Sequence, residues 1–291
     1  MAYEAHPHCD TPTEDTVVWR YMGFPRFMSL LEAGNVWLSR ADLLDDPREA
    51  CLTEPERNQI REHQGEKAEQ FIRSLEHERH ATFLNCWHES NYESMAMWDL
   101  YGKEPASVAI RSTIGRLKQS LGNEQRAVHI TRVKYFDWRV DTSWPNNVLG
   151  MAVRKAEGYK HESEVRLVTW AYDAWKFDFG RQGPPLVFHP REIEDCIVTL
   201  FKEQSIFTET LEGDMRKAVP KALNRWMAEV QLSQLPKGIT VKVDIAQLIQ
   251  EVIVGPREPE WVFDLLQQIV KRYRLAAIVK SSELRYSPAT E

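Results

Sequence analysis

Glu164-Val165-Arg166-Leu167-Val168-Thr169-Trp170 is the stretch from which the fold is read. Its β-branched and aromatic side chains predict a strand on a pleated, half-buried surface. Similar short runs flank it along the chain: Val17 to Met22, Val36 to Ser39, Thr82 to Trp87, Ser107 to Ile110, Val128 to Tyr135, Leu186 to Phe188, Ile239 to Val243 and Ala277 to Val279. Between them, apolar residues recur at helical spacing. Phe24, Phe27, Met28 and Leu31 form one such set, with Gly34 placed to end the helix. Ile114, Leu117 and Leu121 form a second, and Met95 to Trp98 a short one. Val219, Leu223, Trp226, Met227 and Val230 form another, closed by Pro236 and Gly238, and Trp261, Val262, Leu265, Leu266, Ile269 and Val270 a last. Strands and helices do not alternate as in βαβ units. The expected class is therefore α+β, a mixed or antiparallel sheet core with peripheral helices.

Composition sets bounds on the rest. The chain has 291 residues, 43% hydrophobic and 27% charged, which suits an ordinary globular protein rather than a disordered one. Ten Trp imply core or a stacking surface. A net charge of −6 gives no bulk drive toward nucleic acid or anionic membranes, a local basic cleft apart. There is no apolar run of roughly 18 residues to span a bilayer, and no secretory h-region near the start. The four Cys lack CxxC spacing, as expected for reduced thiols in a cytoplasmic protein. Residues 1–15 are expected to be a flexible leader, and 16–291 a single α+β domain. The polar stretch near 55–80 is expected to be a helical insertion, either an exposed helix or a mobile flap. Asp45-Asp46-Pro47 is turn chemistry.

Several phrases, taken in order, resemble the bacterial domain of unknown function 2971 family. They are Trp19-Arg20-Tyr21, then Gly34 to Ser39 leading to Asp45-Asp46-Pro47-Arg48-Glu49, then Cys86-Trp87-His88-Glu89 with Met97-Trp98-Asp99-Leu100-Tyr101-Gly102. Val133-Lys134-Tyr135, His161-Glu162-Ser163-Glu164-Val165-Arg166, Ile253-Val254-Gly255-Pro256 and Lys280-Ser281-Ser282-Glu283-Leu284 continue the series, so that the likeness spans residues 17–285. The family usually shows Asn-Asp-Pro where this chain has Asp45-Asp46-Pro47; both are turn-formers. The family carries no activity in its name, but it looks like a distant relative of the ADP-ribosyltransferase fold. An Arg, a Ser and a Glu-x-Glu, each on a strand and in that order, is the pattern by which many ADP-ribosyltransferases hold NAD.

That resemblance implies roles. Arg20 would offer a forked cation to the phosphate or ribose of NAD, used as substrate. Ser39 would bond the ribose or nicotinamide edge, and Tyr21 or Trp19 would stack on the nicotinamide. Glu164 would stabilise the cation that develops at the ribose C1′. Glu162, two residues earlier, is expected on the same strand face, where it would position or deprotonate a nucleophile. His88, with Trp98 and Tyr101, would line the same cleft. Arg154, Lys155 and Lys160 form a loop that would meet the acceptor, a protein or a nucleic acid. The implied activity is NAD-consuming transfer or NAD hydrolysis, as in a toxin or an anti-phage effector.

The same residues admit other readings. Glu162 and Glu164 beside Arg166 are also what a solvated ion-pair ladder presents, worth about 0–1 kcal/mol, and Lys155 would then sit on a solvated loop. Cys86 is a packed thiol or, with His88 on the same face, a nucleophile. A non-catalytic nucleotide-sensing or protein-interaction domain would use the Arg/Ser/Glu set for binding and an aromatic surface for docking. A nuclease would gather Asp45, Asp46, Glu162 and Glu164 around a metal. The ligand-type residues His6, His8, Cys9 and Asp10 stand in the expected leader without a scaffold, so no metal site is predicted there. No Walker loop, GxGxxG, HExxH or GxSxG occurs.

Overall fold

The computed structural model describes residues 2–103, 105–142, 148–170 and 236–285. The strand expected at Leu186 to Phe188 and the helix at Val219 to Val230 lie outside these residues. The strands are β1 (Val17–Met22), β2 (Asn35–Arg40), β3 (Thr82–Glu89), β4 (Val108–Thr113), β5 (His129–Arg132), β6 (Lys134–Phe136), β7 (Arg154–Ala156), β8 (Glu164–Trp170), β9 (Gly238–Lys242), β10 (Glu251–Val254) and β11 (Ile278–Ser281). The helices are α1 (Phe24–Ala33), α2 (Glu54–Gln64), α3 (Ala68–His77), α4 (Met95–Tyr101), α5 (Ile114–Ser120), α6 (Val148–Ala152), α7 (Ile245–Leu248) and α8 (Glu260–Arg272). The class is α+β. A nine-stranded sheet runs β11-β10-β4-β1-β3-β2-β9, with β8 on β3 and β5 on β8, and only its β10–β11 pair is parallel. β6 and β7 form a separate parallel pair. The expected single strand from Val128 to Tyr135 is thus two. At Val133 the chain leaves β8, donating to the Glu164 carbonyl, and Lys134 turns to the Val153 carbonyl instead.

The β3 strand organises the sheet. Its whole length from Thr82 to His88 pairs with β8 on one edge. On the other edge β1 takes only His88 and Glu89, and β2 only Phe83 and Leu84. The sheet therefore forks at Asn85–Trp87, where no strand among the described residues covers that edge. Polar backbone at such a gap needs other partners. Arg20 donates through Nη1 to the Cys86 carbonyl at 2.5 Å, and Asn85 donates through Nδ2 to the Trp37 carbonyl at 2.7 Å.

One face of the sheet carries the main core. Val18, Met22, Trp87, Ile110, Val165 and Val252 pack there against Phe27, Leu30 and Leu31 of α1, Ile114 and Leu117 of α5, and Val262, Leu266 and Ile269 of α8. Each such side chain contributes about 1.5–3 kcal/mol on full burial. The α1 helix ends as its sequence predicts: Gly34 takes φ 60 and donates to the Leu30 carbonyl, a left-handed conformation that suits glycine. The opposite face holds two smaller clusters. Trp19, Tyr21, Met97, Trp98, Ala109 and Ile253 form one, and Ala41, Ala50, Leu84, Leu149, Ala152, Val153 and Val168 the other. The face between them is charged.

Two expectations need correction here. The 55–80 stretch is helical but is not a free flap. Ile60, Ala68 and Ile72 close over Leu52 and Met151, and Thr53 and Glu56 form a reciprocal cap at the start of α2. Residues 1–15 are not a flexible leader. Ala2 is buried, the Glu4 N–H donates to the Val128 carbonyl and the Val128 N–H to the Ala2 carbonyl, the Asp10 N–H donates to the Thr131 hydroxyl, and the Thr11 hydroxyl donates to the Ile130 carbonyl. The segment covers the free edge of β5, which would otherwise template aggregation. Deleting residues 2–11 is expected to lower unfolding stability by about 1–2 kcal/mol, bonds lost less ordering entropy regained. Urea titration measures the loss, and light scattering the increased self-association. No helix among the described residues is long and apolar enough to cross a membrane.

Candidate functional site

The side chains that share the charged face follow from register. His88 stands directly opposite Glu164, Cys86 opposite Arg166, and Ser39 beside Leu84. Of these, His88, Glu164, Cys86, Ser39 and Leu84 line a cleft of about 510 Å³ over the fork, together with Trp19, Arg20, Tyr21, Trp37, Glu49, Tyr101, Lys155 and Glu162, while Arg166 is fully buried and outside its lining. The structure thus brings together Arg20, Tyr21, Ser39, His88, Glu162 and Glu164, all singled out for an NAD site, whereas Trp98, expected beside them, is buried against Tyr21 and does not line the cleft.

Glu162 does not reach the cleft in the expected way. It closes a 3-10 turn, Glu157–Glu162, and Ser163 takes φ 39 before β8 begins at Glu164. A non-glycine residue in the left-handed region costs of order 1 kcal/mol or more, and here it lifts Glu162 off the strand line. Both carboxylates still converge, because Lys155 draws them together. Its ammonium bonds Glu162 Oε2 at 2.8 Å and Glu164 Oε2 at 3.0 Å. The solvated-loop reading of Lys155 is therefore wrong: Lys155 is buried on β7. Arg154 is likewise buried, paired with Glu56 and stacked over Phe136, and Lys160 alone of the three is exposed.

Nor is the ladder solvated. Arg166 is 0% exposed. Its Nε meets Glu164 Oε1 at 2.6 Å and its Nη2 meets Glu164 Oε2 at 3.2 Å, while Nη1 reaches both Glu49 Oε1 and the Ala152 carbonyl at 2.6 Å. Glu49, from the turn after Asp46-Pro47, was not singled out by its sequence. Its Oε2 is buried without a hydrogen-bond partner among the described residues. The ion cluster therefore comprises three carboxylates and one cation, Lys155, that line the cleft, and a second cation, Arg166, buried outside its lining.

The electrostatics follow from these contacts. Burial alone would raise Glu164, but Arg166 and then Lys155 hold it down at about 2. Burial would lower Lys155, and Glu164 and Glu162 raise it above the ordinary ammonium range. Burial pushes Glu49 up against the pull of Arg166. Burial, reinforced by Glu164, drives the Cys86 thiol well above its usual range. A neutral thiol is a poor nucleophile, so Cys86, half-buried in the cleft wall, is disfavoured as the attacking group. Tyr101 and Tyr135 are likewise kept neutral by burial beside these carboxylates.

The carboxylates differ in what they have left to offer. Glu164 accepts from both cations through both oxygens. Glu162 bonds Lys155 and, at 3.5 Å, the Tyr101 hydroxyl, both through Oε2. Its other oxygen makes no hydrogen bond among the described residues. Ammonium and guanidinium occupy the places a metal nuclease would give to its ion, and Asp46 is turned to its own loop, accepting from the Arg48 N–H.

Arg20 is the converse. Its guanidinium meets a neutral carbonyl and lies about 6.0 Å from the Trp87 ring centroid, and no carboxylate pairs with it among the described residues. Burial lowers its pKa, with Cys86 and, less, Glu164 pulling it up and the Arg26 guanidinium pushing it down, yet an arginine stays charged at neutral pH. Tyr21 is fixed by the Ser94 N–H at its hydroxyl and by an edge contact with Trp98 at 4.9 Å. Trp37 stands half exposed at the cleft mouth, held by a close approach to Gly238, where a Cβ would lie 2.2 Å from its ring.

Comparison of the chain with protein-family models, with curated proteins and with solved structures found no match.

Proposed function

We propose that the cleft binds NAD and that the chain cleaves the nicotinamide–ribose bond, as an ADP-ribosyltransferase or NAD glycohydrolase on an ADP-ribosyltransferase-like split sheet. The observation that carries this assignment is the mixed charge of the cleft lining: Arg20, bonded to no acid among the described residues, lines the same cleft as the Lys155-bridged pair Glu162 and Glu164. NAD has the complementary shape, with an anionic pyrophosphate a few bonds from the ribose carbon that becomes cationic as nicotinamide leaves. Arg20 holds the phosphates by charge-assisted bonds. Ser39 lines the ribose path, and Tyr21 and Trp19 form an apolar wall for the nicotinamide.

Roles divide between the acids by what each has free. Glu162, with an unbonded oxygen, faces the oxocarbenium-like carbon and stabilises it electrostatically. Glu164, bound by Arg166 and Lys155, is the positioning residue that fixes Lys155 and through it Glu162. The sequence pattern favoured the reverse, with Glu164 at the ribose. An acceptor, protein or nucleic acid, would approach past Trp37 and Tyr101 at the mouth, and the toxin or anti-phage role belongs to that same proposal.

Nicotinamide release from NAD tests the assignment directly, with calorimetry for binding. Glu162→Gln is expected to lower kcat by about 100–1,000-fold, the scale of losing one preorganised electrostatic partner. Arg20→Met is expected to weaken NAD binding roughly 10–150-fold, the equivalent of about 1.5–3 kcal/mol for bonds to a charged group. Binding without release by wild type would turn the assignment to a nucleotide-sensing domain. Neither binding nor release would overturn both.

A further inference from the structure

His88 carries a feature that the NAD assignment does not use. Its Nδ1 lies 2.6 Å from the Glu162 carbonyl oxygen. A carbonyl only accepts, so Nδ1 holds the hydrogen and the neutral ring presents a lone pair at Nε2. Nε2 has no partner among the described residues. The ring is buried to 6% exposure yet lines the cleft. Tyr21 packs on it from β1 at 6.3 Å between ring centroids, and Glu164 faces it across the β3–β8 ladder. An imidazole oriented through one nitrogen by a fixed acceptor, with the other nitrogen unbonded among the described residues and the ring in the cleft lining, has the arrangement of a general base.

We propose that His88 is the base that deprotonates the incoming nucleophile, taken as the neutral oxygen of water or an alcohol hydroxyl, and that the acceptor is accordingly one with a proton to lose rather than a carboxylate. The inference rests on the NAD assignment above. The glycosidic C–N bond breaks with its electron pair going to the nicotinamide nitrogen. A lone pair of the hydroxyl oxygen forms the new C1′–O bond, and the hydroxyl proton passes to His88 Nε2. A carboxylate acceptor has no proton to lose and would need no such base. The main-chain bond to the Glu162 carbonyl couples the base to the segment that carries the stabilising carboxylate, so one turn places both.

The test is His88→Asn, whose amide can keep the bond to the Glu162 carbonyl while offering no basic nitrogen. Nicotinamide release is followed with and without sodium azide, an anionic nucleophile that requires no deprotonation, and NAD affinity is measured alongside. The expected result is a loss of about 100–1,000-fold in kcat, NAD affinity unchanged within a few-fold, and recovery in azide with an azide adduct of ADP-ribose detected by mass. A variant that keeps wild-type kcat overturns the proposal and leaves the NAD assignment standing. A slow variant that azide does not restore also overturns it, and marks His88 as a structural support for the Glu162 turn. If His88→Asn melts early, His88→Gln is judged by the same azide criterion. Wild type that neither binds nor cleaves NAD removes the assignment and the base together.

Discussion

Replacing Arg166 by Met is expected to cost about 3–5 kcal/mol of unfolding free energy, the scale of breaking a buried ion cluster from one side. The guanidinium is fully buried and serves two acids at once, Glu49 and Glu164, besides the Ala152 carbonyl. Without it Glu49 has no cation bonded to it among the described residues, and its second oxygen is already without a hydrogen-bond partner among them. Glu164 keeps only Lys155, which is shared with Glu162. Methionine of similar length fills the space, so the loss is electrostatic rather than a cavity. Arg166→Lys should also be costly, because one ammonium cannot span the fork that separates the two acids. The compensated triple variant, Arg166→Met with Glu49→Gln and Glu164→Gln, should recover much of the loss by removing the stranded charges. Urea midpoints for the three proteins decide the matter. A single-variant loss under 1 kcal/mol would mean that the cluster does not hold these elements together.

That cluster shows where the sequence was legible and where it was not. β1, β2 and β8 and the helices α1 and α8 follow from local periodicity, and the end of α1 from one glycine. The Arg20, Ser39 and Glu164 positions lie on the strands where their neighbours placed them. Glu49 could not be seen, because it meets Arg166 across 117 residues of chain and stands in a turn with no apolar signal. Lys155 sits in a polar run that looks solvated. The fork is a property of long-range pairing, visible only once β1 and β2 both stop short on β3. The 1–15 segment misleads because its bonds are made by backbone, to which composition is blind.

Acid should then weaken the fold through Glu164. Its carboxyl is depressed from an ordinary 4.5 to about 2 in the folded chain, with burial outweighed by Arg166 and Lys155. A carboxylate held lower in the folded state than in the unfolded one stabilises fully above the unfolded value. That stability drains away as pH falls from about 4.5 toward 2, and the difference is on the order of 3 kcal/mol. Glu49 works with the opposite sign. Burial raises its pKa, so its ionisation is a burden near neutrality that protonation relieves on the way down. The observed acid limb should therefore be shallower than Glu164 alone would give. Replacing Glu49 by Gln should steepen it, and Glu164→Gln should flatten it. At the alkaline end Lys155, raised above its ordinary 10.5 by Glu164 and Glu162 against burial, stabilises fully below that value and loses its contribution only as pH climbs past it. Urea unfolding of wild type and the two Gln variants at intervals from pH 7 to pH 3 separates these contributions. An acid limb unchanged by Glu164→Gln would show that its carboxylate is not held by the two cations in solution. The same carboxylate that steadies the fold would then be free for the ribose, and the division of labour between Glu162 and Glu164 would have to be reversed.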